Sequence, residues 1–392
     1  MTADRRYDIV LYGATGFTGG LTAEYLAEHA PADTRWALAG RDRGRLEAVR
    51  DRLAARVPTA KDVPLLHADA ADAASLRELA ASARVVITTV GPYARYGEPL
   101  VAACAREGAD YVDLTGEPTF VDRMYVRYHE DAVNSGARIV HACGFDSIPH
   151  DLGAYFTVKR LPEGVPVRVE EFVQLKITPS GGTWHSGIGV ASDLLGMWRA
   201  RRDRRHVEVW PAGRLVRVSR RFTPRTRLRG GWTLPMPTLD PDIVSRSAAA
   251  LERYGPDFEF GMYLAVRRLP VALGVAAGST AALLLAQFPP TRKLLLGLRS
   301  PGEGPSAETR AGSWFRLTFV GEGGGKRVVT EVSGGDPGYE ETAKMLAESA
   351  LCLAHDDLPR TSGQVTTAVA MGDALIDRLV RAGIAFRVVR ED

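Results

Sequence analysis

Near its N-terminus the chain reads IVLYGATGFTGGLTAEYL, with Gly13, Gly16 and Gly19 at three-residue intervals. Such spacing can fold a strand-to-helix turn around an anion. The first glycine permits a tight turn, the second lets the backbone approach a pyrophosphate without a Cβ in the way, and the third allows close helix packing. The N–H groups that open the next helix place a partial positive charge beneath the phosphates, and Thr15 and Thr18 can add hydroxyl donors. Glycine is abundant, at 40 of 392 residues, so spacing alone is a weak signal. It gains force only with a strand before it and a helix after it.

The next residues to weigh lie about twenty positions on. A site for NAD places an acidic side chain there to accept hydrogen bonds from the adenosine ribose. This chain instead reads LAGRDRGRL, with Gly40-Arg41 at the second strand's end and Arg43 and Arg45 close behind. A guanidinium matches a 2′-phosphate, so NADP is favoured over NAD, with Asp42 the one discordant residue. Other strand ends carry further candidates. Thr89, Val90, Gly91, Pro92 and Tyr93 should run along the ribose and nicotinamide, and Asp113, Thr115 and Glu117 follow the next strand. Asp146 or Ser147 caps a helix whose first turn holds Pro149 and Asp151. The stretch SGGTWHSG, Ser180 to Gly187, reads as a second glycine-rich turn ahead of a helix. Its N–H groups could hold an oxyanion, with Thr183, His185 and Ser186 as side-chain donors.

Positioning these groups requires a sheet. From Tyr7 to about Ile148 short apolar runs (YDIVLYG, RWALAG, VPLLHAD, RVVITTVGPY, GADYVDLTGE, ARIVHACGFD) alternate with helical stretches. Continuous apolar runs suit strands buried on both faces, which predicts a doubly wound α/β Rossmann domain of about six strands over residues 1–150. Residues 151–336, with the longer strand candidates VRVEEFVQLKI and SWFRLTFVGEG, read as a second α+β domain on a largely antiparallel sheet, for substrate and dimerisation. Residues 337–392 read as two helices and a short strand that pack back on the first domain.

Composition bounds the rest. The length exceeds what one hydrophobic core usually supports, and 45% hydrophobic with 25% charged residues is ordinary for a globular protein. Cys104, Cys143 and Cys352 stand far apart without a CxxC pair, so neither a disulfide framework nor a metal site is expected, and a reducing cytoplasm fits. The apolar run before the glycines is too short for a signal peptide. Twelve arginines between Arg199 and Arg229 face only Asp203 and Glu208, a local charge of +10 against +3 overall. That block could meet an acidic carrier protein, a phosphate-bearing substrate or an anionic membrane, or form a solvated basic face. Nucleic acid is not expected, because no aromatic interleaving accompanies it. Leu269 to Phe288 runs twenty residues without a charge. It reads as a buried helix or subunit interface, with peripheral membrane or lipid contact as the alternative.

Taken in order, YDIVLYGATGFTGGLTAEYL, ALAGRDRGRLEAV, TTVGPYARYGEPLVAACAREGADYVDLTGE, HACGFDSIPHDLG, PSGGTWHSG and GYEETAKMLAESALCLA resemble the saccharopine dehydrogenase-like oxidoreductases, and within them the actinobacterial trans-acting enoyl reductases. The resemblance implies an NADP-binding Rossmann domain, a second α/β domain and a homodimer. It matches Gly13, Thr15, Gly16, Phe17 and Thr18 to the pyrophosphate turn, Arg41 to the adenosine phosphate, and Gly91, Pro92 and Tyr93 to the strand end beside the nicotinamide. No family motif supplies a proton donor; Tyr93, His150 and His185 are the candidates. The implied reaction is NADPH-dependent reduction of the C=C bond of an enoyl chain of lipid or polyketide type, free or on a carrier protein. An imine reductase acting on amino acids and a non-catalytic, membrane-associated dinucleotide-binding protein are the alternatives.

Overall fold

The computed structural model describes residues 5–177, 181–219, 231–236, 238–298 and 305–392. The first strand, β1 (Tyr7–Tyr12), is buried at every position, as its unbroken apolar run requires. It is followed by α1 (Phe17–His29), β2 (Trp36–Gly40), α2 (Arg43–Arg56), β3 (Leu65–His67), α3 (Ala73–Ser82) and β4 (Ala83–Thr88). The short α4 (Tyr93–Tyr96) leads into α5 (Glu98–Glu107), β5 (Asp110–Asp113), α6 (Pro118–Ser135) and β6 (Arg138–Val140). Helix starts follow local chemistry: Asp42 accepts the Arg45 N–H at 3.0 Å and Asp72 the Ala74 N–H at 3.0 Å.

The second half runs through α7 (Ile148–Val158), β7 (Val167–Lys176), α8 (Gly181–Ser192), α9 (Leu194–Val207), β8 (Leu215–Ser219) and β9 (Trp232–Pro235). It continues with α10 (Asp240–Ala250), β10 (Asp257–Val266), α11 (Leu269–Ala286), α12 (Pro289–Gly297), α13 (Ala307–Ala311), β11 (Trp314–Gly323) and β12 (Lys326–Gly334). The chain closes with α14 (Glu340–His355), β13 (Gly363–Val365), α15 (Thr367–Ala370), α16 (Gly372–Arg381) and β14 (Ala385–Glu391).

Among the described residues two seven-stranded sheets result. The first is parallel throughout, in the order β13-β6-β5-β4-β1-β2-β3, the doubly wound arrangement expected from the sequence with one strand added at its edge. The second has the order β14-β12-β11-β7-β10-β8, with β9 also on β10. Four of its six pairings are antiparallel, as expected, and the exception is β10, which pairs in parallel with both β7 and β8. The segment after residue 336 serves both sheets: β13 extends the first, β14 extends the second, and α14 packs on α1, β1, β4 and β5. Helix α7 covers β7, β11 and β12, so its residues belong with the second sheet.

One expectation about polarity changes. The uncharged α11 is not a buried helix of this chain, since only Ala272 and Ala286 along it are buried. The described part of the arginine block is largely paired internally. Arg204 binds Asp122 at 3.2 Å and Glu208 at 2.6 Å, Arg201 binds Asp242 at 2.7 Å, and Arg217 binds Asp257 at 2.8 Å. Arg220, Arg221, Arg225, Arg227 and Arg229 lie outside the described residues.

Candidate active site

The glycine turn sits at the carboxyl end of β1, next to the start of the chain after β4. Gly13 has φ +96°, and a Cβ there would come within 2.7 Å of both Thr89 Oγ1 and Val90 Cγ2. A Cβ on Gly19 would lie 2.2 Å from the Gly13 carbonyl oxygen. These two glycines therefore permit close approach of backbones. Gly16 is different: a Cβ there would meet only the Gly13 oxygen, at 3.4 Å, so the space above it is open. Gly16 is also the N-cap of α1, with no side-chain cap and no acidic residue in the first turn. The first N–H to bond within the helix is that of Gly20, to Gly16 O at 2.8 Å. Those of Phe17, Thr18 and Gly19 precede it, at the positive end of the helix dipole. An anion fits here.

The end of β2 agrees. Asp42 is occupied as the cap of α2 and ion-pairs with Arg45 at 3.5 Å, while Arg43 pairs with Glu47 at 3.1 Å. Arg41 is exposed and makes no hydrogen bond or ion pair among the described residues. The discordant acid is thus turned toward its own helix, and Arg41 is left for a phosphate.

Across the turn, Thr89 donates from its backbone to Tyr12 O at 3.0 Å and from its hydroxyl to Gly13 O at 3.1 Å. Val90, Gly91 and Pro92 follow, the last two joined by a cis peptide bond, and both Gly91 and Pro92 are exposed. The structure therefore brings together Gly13, Thr15, Gly16, Phe17, Thr18, Gly19, Thr89, Val90, Gly91 and Pro92 along one edge of the parallel sheet. Arg41 stands at the neighbouring strand end.

The three proton-donor candidates part company. The Tyr93 hydroxyl is buried, donating to Thr88 O at 3.1 Å and accepting from Leu114 N at 3.2 Å. Burial pushes its phenol well above the usual range, with Asp113 adding to the effect. Tyr93 joins two strand ends, and no face of its hydroxyl is offered to a substrate. His150 lies inside the molecule behind Phe145, with Nδ1 at 2.5 Å from Glu171 Oε1. Burial alone would hold the imidazole neutral, but Glu171 and Asp240 outweigh it and carry its pKa up to about 9. It is a buried charge between α7, β7 and α10. His185 is half-buried on α8, one residue before Ser186, whose hydroxyl reaches Glu117 Oε1 at 3.4 Å.

Glu117 is a residue whose importance the sequence understates. Its carboxylate accepts the backbone N–H groups of Tyr93 at 3.1 Å and Ala94 at 2.8 Å, holding the chain just after Pro92. Asp113, the last residue of β5, does the same for the chain that follows β6. It accepts from Thr115 N at 3.0 Å and Ala142 N at 2.8 Å and contacts His141 Nδ1 at 2.7 Å, holding Ala142 at φ 59°, an uncommon backbone for a residue with a Cβ. Beside them the Asp146 carboxylate lies over Gly116 and is open to solvent. From the far half of the chain, Tyr339 meets the Phe17 ring edge-on at 5.2 Å, and the Arg310 guanidinium sits 5.6 Å from the same ring. No local signal could reveal contacts spanning some 300 residues. The Ser147 hydroxyl does not cap α7 and instead binds Asp240 at 3.2 Å.

One prediction about this region is corrected. The glycine-rich stretch is not a turn: α8 begins at Gly181, so His185 and Ser186 are helical and their N–H groups are not available to cradle an anion. Trp184 Nε1 donates to Leu295 O at 2.6 Å and α8 packs on α11 and α12, contacts that override the low helix propensity of glycine. Ser180 lies outside the described residues, as does the side chain of Thr183.

An open helix terminus after a glycine turn, an unpaired arginine at the next strand end and a parallel sheet behind them define an NADP-binding domain of the Rossmann type. Comparison with known proteins gives the same class and a family. Residues 9–140 match the saccharopine dehydrogenase NADP binding domain. A Mycobacterium tuberculosis protein named as a putative trans-acting enoyl reductase is 42% identical over 100% of this chain and 99% of its own length. A trans-acting enoyl reductase of Mycobacterium ulcerans is 37% identical, with 99% of each chain covered. Among solved structures, saccharopine dehydrogenase (L-Glu forming) from Saccharomyces cerevisiae superposes with a TM-score of 0.56 over 98% of this chain and 100% of its own, at 12% identity, a likeness of fold. The chain belongs to the saccharopine dehydrogenase-like NADP-binding oxidoreductases, in the branch that holds the trans-acting enoyl reductases.

Proposed function

We propose that this oxidoreductase saturates the C=C bond of an α,β-unsaturated acyl thioester, delivered as a lipid or polyketide-type chain. The observation that carries this reading is the end-to-end likeness to proteins named trans-acting enoyl reductase. When bound, NADPH supplies the hydride that the β-carbon receives. The protein's own residues do the rest. The N–H groups of Phe17, Thr18 and Gly19 would hold the pyrophosphate and Arg41 the 2′-phosphate, while Glu117 fixes the chain just after Gly91-Pro92 at the cofactor edge. His185 and Ser186, on the helix that leans toward Glu117, are the groups we assign to hold the thioester oxygen as enolate charge develops there. A proton delivered to the α-carbon completes the addition of one hydride and one proton.

The test is direct: NADPH consumption by the purified protein with an enoyl thioester, and separately with 2-oxoglutarate plus lysine. Turnover of the thioester alone supports the reading. Turnover of the oxoacid with lysine alone overturns it in favour of imine reduction. His185→Gln should lower kcat with the thioester while leaving NADPH affinity unchanged.

A further inference from the structure

The exposed helix α11 is not explained by hydride chemistry. Its 18 residues contain no charge and have a mean hydropathy of 1.9. Leu273 is 60% exposed and Leu284 59%, and Val271, Val275, Leu283 and Leu285 are exposed as well. At about 100° per residue these side chains point to all sides of the helix rather than to one stripe. Phe288 and Leu294, in and beside α12, continue the surface at 63% and 70% exposure. Monomeric soluble proteins rarely leave so large a contiguous apolar patch in water.

Charge and polarity at its margins indicate what covers it. Arg267 and Arg268 precede the helix, and Arg292 and Lys293 follow in α12; no acidic residue lies between Arg267 and Lys293. Three of the polar side chains within this stretch bond to backbone carbonyls. Thr280 donates to Ala276 O at 2.8 Å, Gln287 to Leu283 O at 3.0 Å and to Ala191 O at 2.5 Å, and Thr291 to Phe288 O at 3.1 Å. Hydroxyls and amides satisfied in this way are tolerated in hydrocarbon. A protein partner would cover one face of α11, whereas acyl chains can surround every side left open.

We propose that α11 and α12 form a monotopic anchor that seats the enzyme on the surface of an anionic lipid membrane. The helix lies in the interface with its apolar side chains among the acyl chains and Arg267, Arg268 and Lys293 at the phosphate level. It does not span. Its first turn continues from β10, and α12 folds back onto both α11 and α8, so both ends stay on the side of the protein body. Helix α8 also carries Ser186 to Glu117, so the lipid-facing surface and the cofactor edge share one support. The anchor does not depend on which acceptor the enzyme reduces.

The experiment is co-sedimentation of the full chain with vesicles of phosphatidylcholine alone or mixed with phosphatidylglycerol. NADPH affinity reports folding. The protein is expected to pellet with the anionic vesicles and at least tenfold less with neutral ones. Leu273→Asp/Leu284→Asp, and separately Arg267→Glu/Arg268→Glu/Lys293→Glu, should each cut binding at least tenfold with NADPH affinity unchanged. Should a variant lose NADPH binding, brominated acyl chains supply the test on the unaltered protein, by quenching its tryptophan fluorescence. Protein that stays in the supernatant with anionic vesicles overturns the proposal. So does a stable dimer that Leu273→Asp/Leu284→Asp splits, because a second copy then covers the helix.

Discussion

Replacing Gly13 and Gly16 by alanine, one at a time, separates two functions that the sequence motif runs together. At Gly13 the backbone is left-handed and the new methyl would press on Thr89 and Val90 at 2.7 Å. The conformational penalty is about 1–2 kcal/mol and forced packing adds about 1–3 kcal/mol, so the variant should lose roughly 2–5 kcal/mol of stability. That corresponds to a Tm lower by about 5–15 °C. At Gly16 φ is −81° and the nearest neighbour of a Cβ is at 3.4 Å, an ordinary contact. Stability should change by no more than about 1 kcal/mol. The methyl would instead stand where the pyrophosphate must approach, and loss of one close phosphate contact should raise the NADPH Kd at least tenfold, about 1.4 kcal/mol. Thermal unfolding without ligand and NADPH fluorescence titration read the two effects independently. Should Gly16→Ala unfold as early as Gly13→Ala, or bind NADPH as tightly as the parent, the assignment of the open space above Gly16 to the cofactor is wrong.

Other outcomes follow from the same geometry. Arg41→Ala should weaken NADPH binding by about tenfold or more, the scale of one charged hydrogen-bonded contact, and leave NADH binding unchanged; equal losses for both nucleotides would contradict the 2′-phosphate assignment. Tyr93→Phe should cost about 1–3 kcal/mol in urea unfolding by leaving the Leu114 N–H without its acceptor, while kcat of the folded fraction stays within a few-fold; a thousandfold fall in kcat at unchanged stability would restore Tyr93 as proton donor. The folded-state pKa of His150 lies above its unfolded value, so its contribution is complete below about pH 6.5 and is lost as pH rises through about 9. Stability measured across that window should therefore fall, and His150→Gln should flatten the slope; an unaltered slope would mean that His150 is not the titrating group.

Much of the first sheet was legible because its evidence is local. A strand buried on both faces needs an unbroken apolar run, and YDIVLY or RVVIT cannot satisfy that need elsewhere. The pyrophosphate turn was legible for the same reason, since strand, glycines and helix are contiguous. What escaped depends on partners far along the chain. GGTWHSG has the composition of a turn and folds as a helix, because Trp184 finds Leu295 and α8 finds α11 and α12. Tyr93 and His150 have the side chains of acids and bases, but their burial against Leu114 and Glu171 is a tertiary property that no local pattern reveals. The mixed pairing of the second sheet turns on β10 lying between β7 and β8, which strand patterning does not reveal.

The segment after residue 336 also bears on how the protein is made. Helix α14 fills the face formed by α1, β1, β4 and β5, where Glu348 receives the Tyr25 hydroxyl at 2.7 Å and Thr342 receives the Phe145 N–H at 3.0 Å. On the ribosome the first 150 residues emerge long before that helix exists, so the nascent nucleotide-binding half must wait with an apolar face uncovered. Its completion is coupled to that of the second sheet, because β13 (Gly363–Val365) and β14 (Ala385–Glu391) both lie in the last stretch of the chain, after α14. Nucleotide affinity should thus arise late and abruptly in synthesis. A fragment cut at the apparent boundary near residue 150 would be a poor soluble binder.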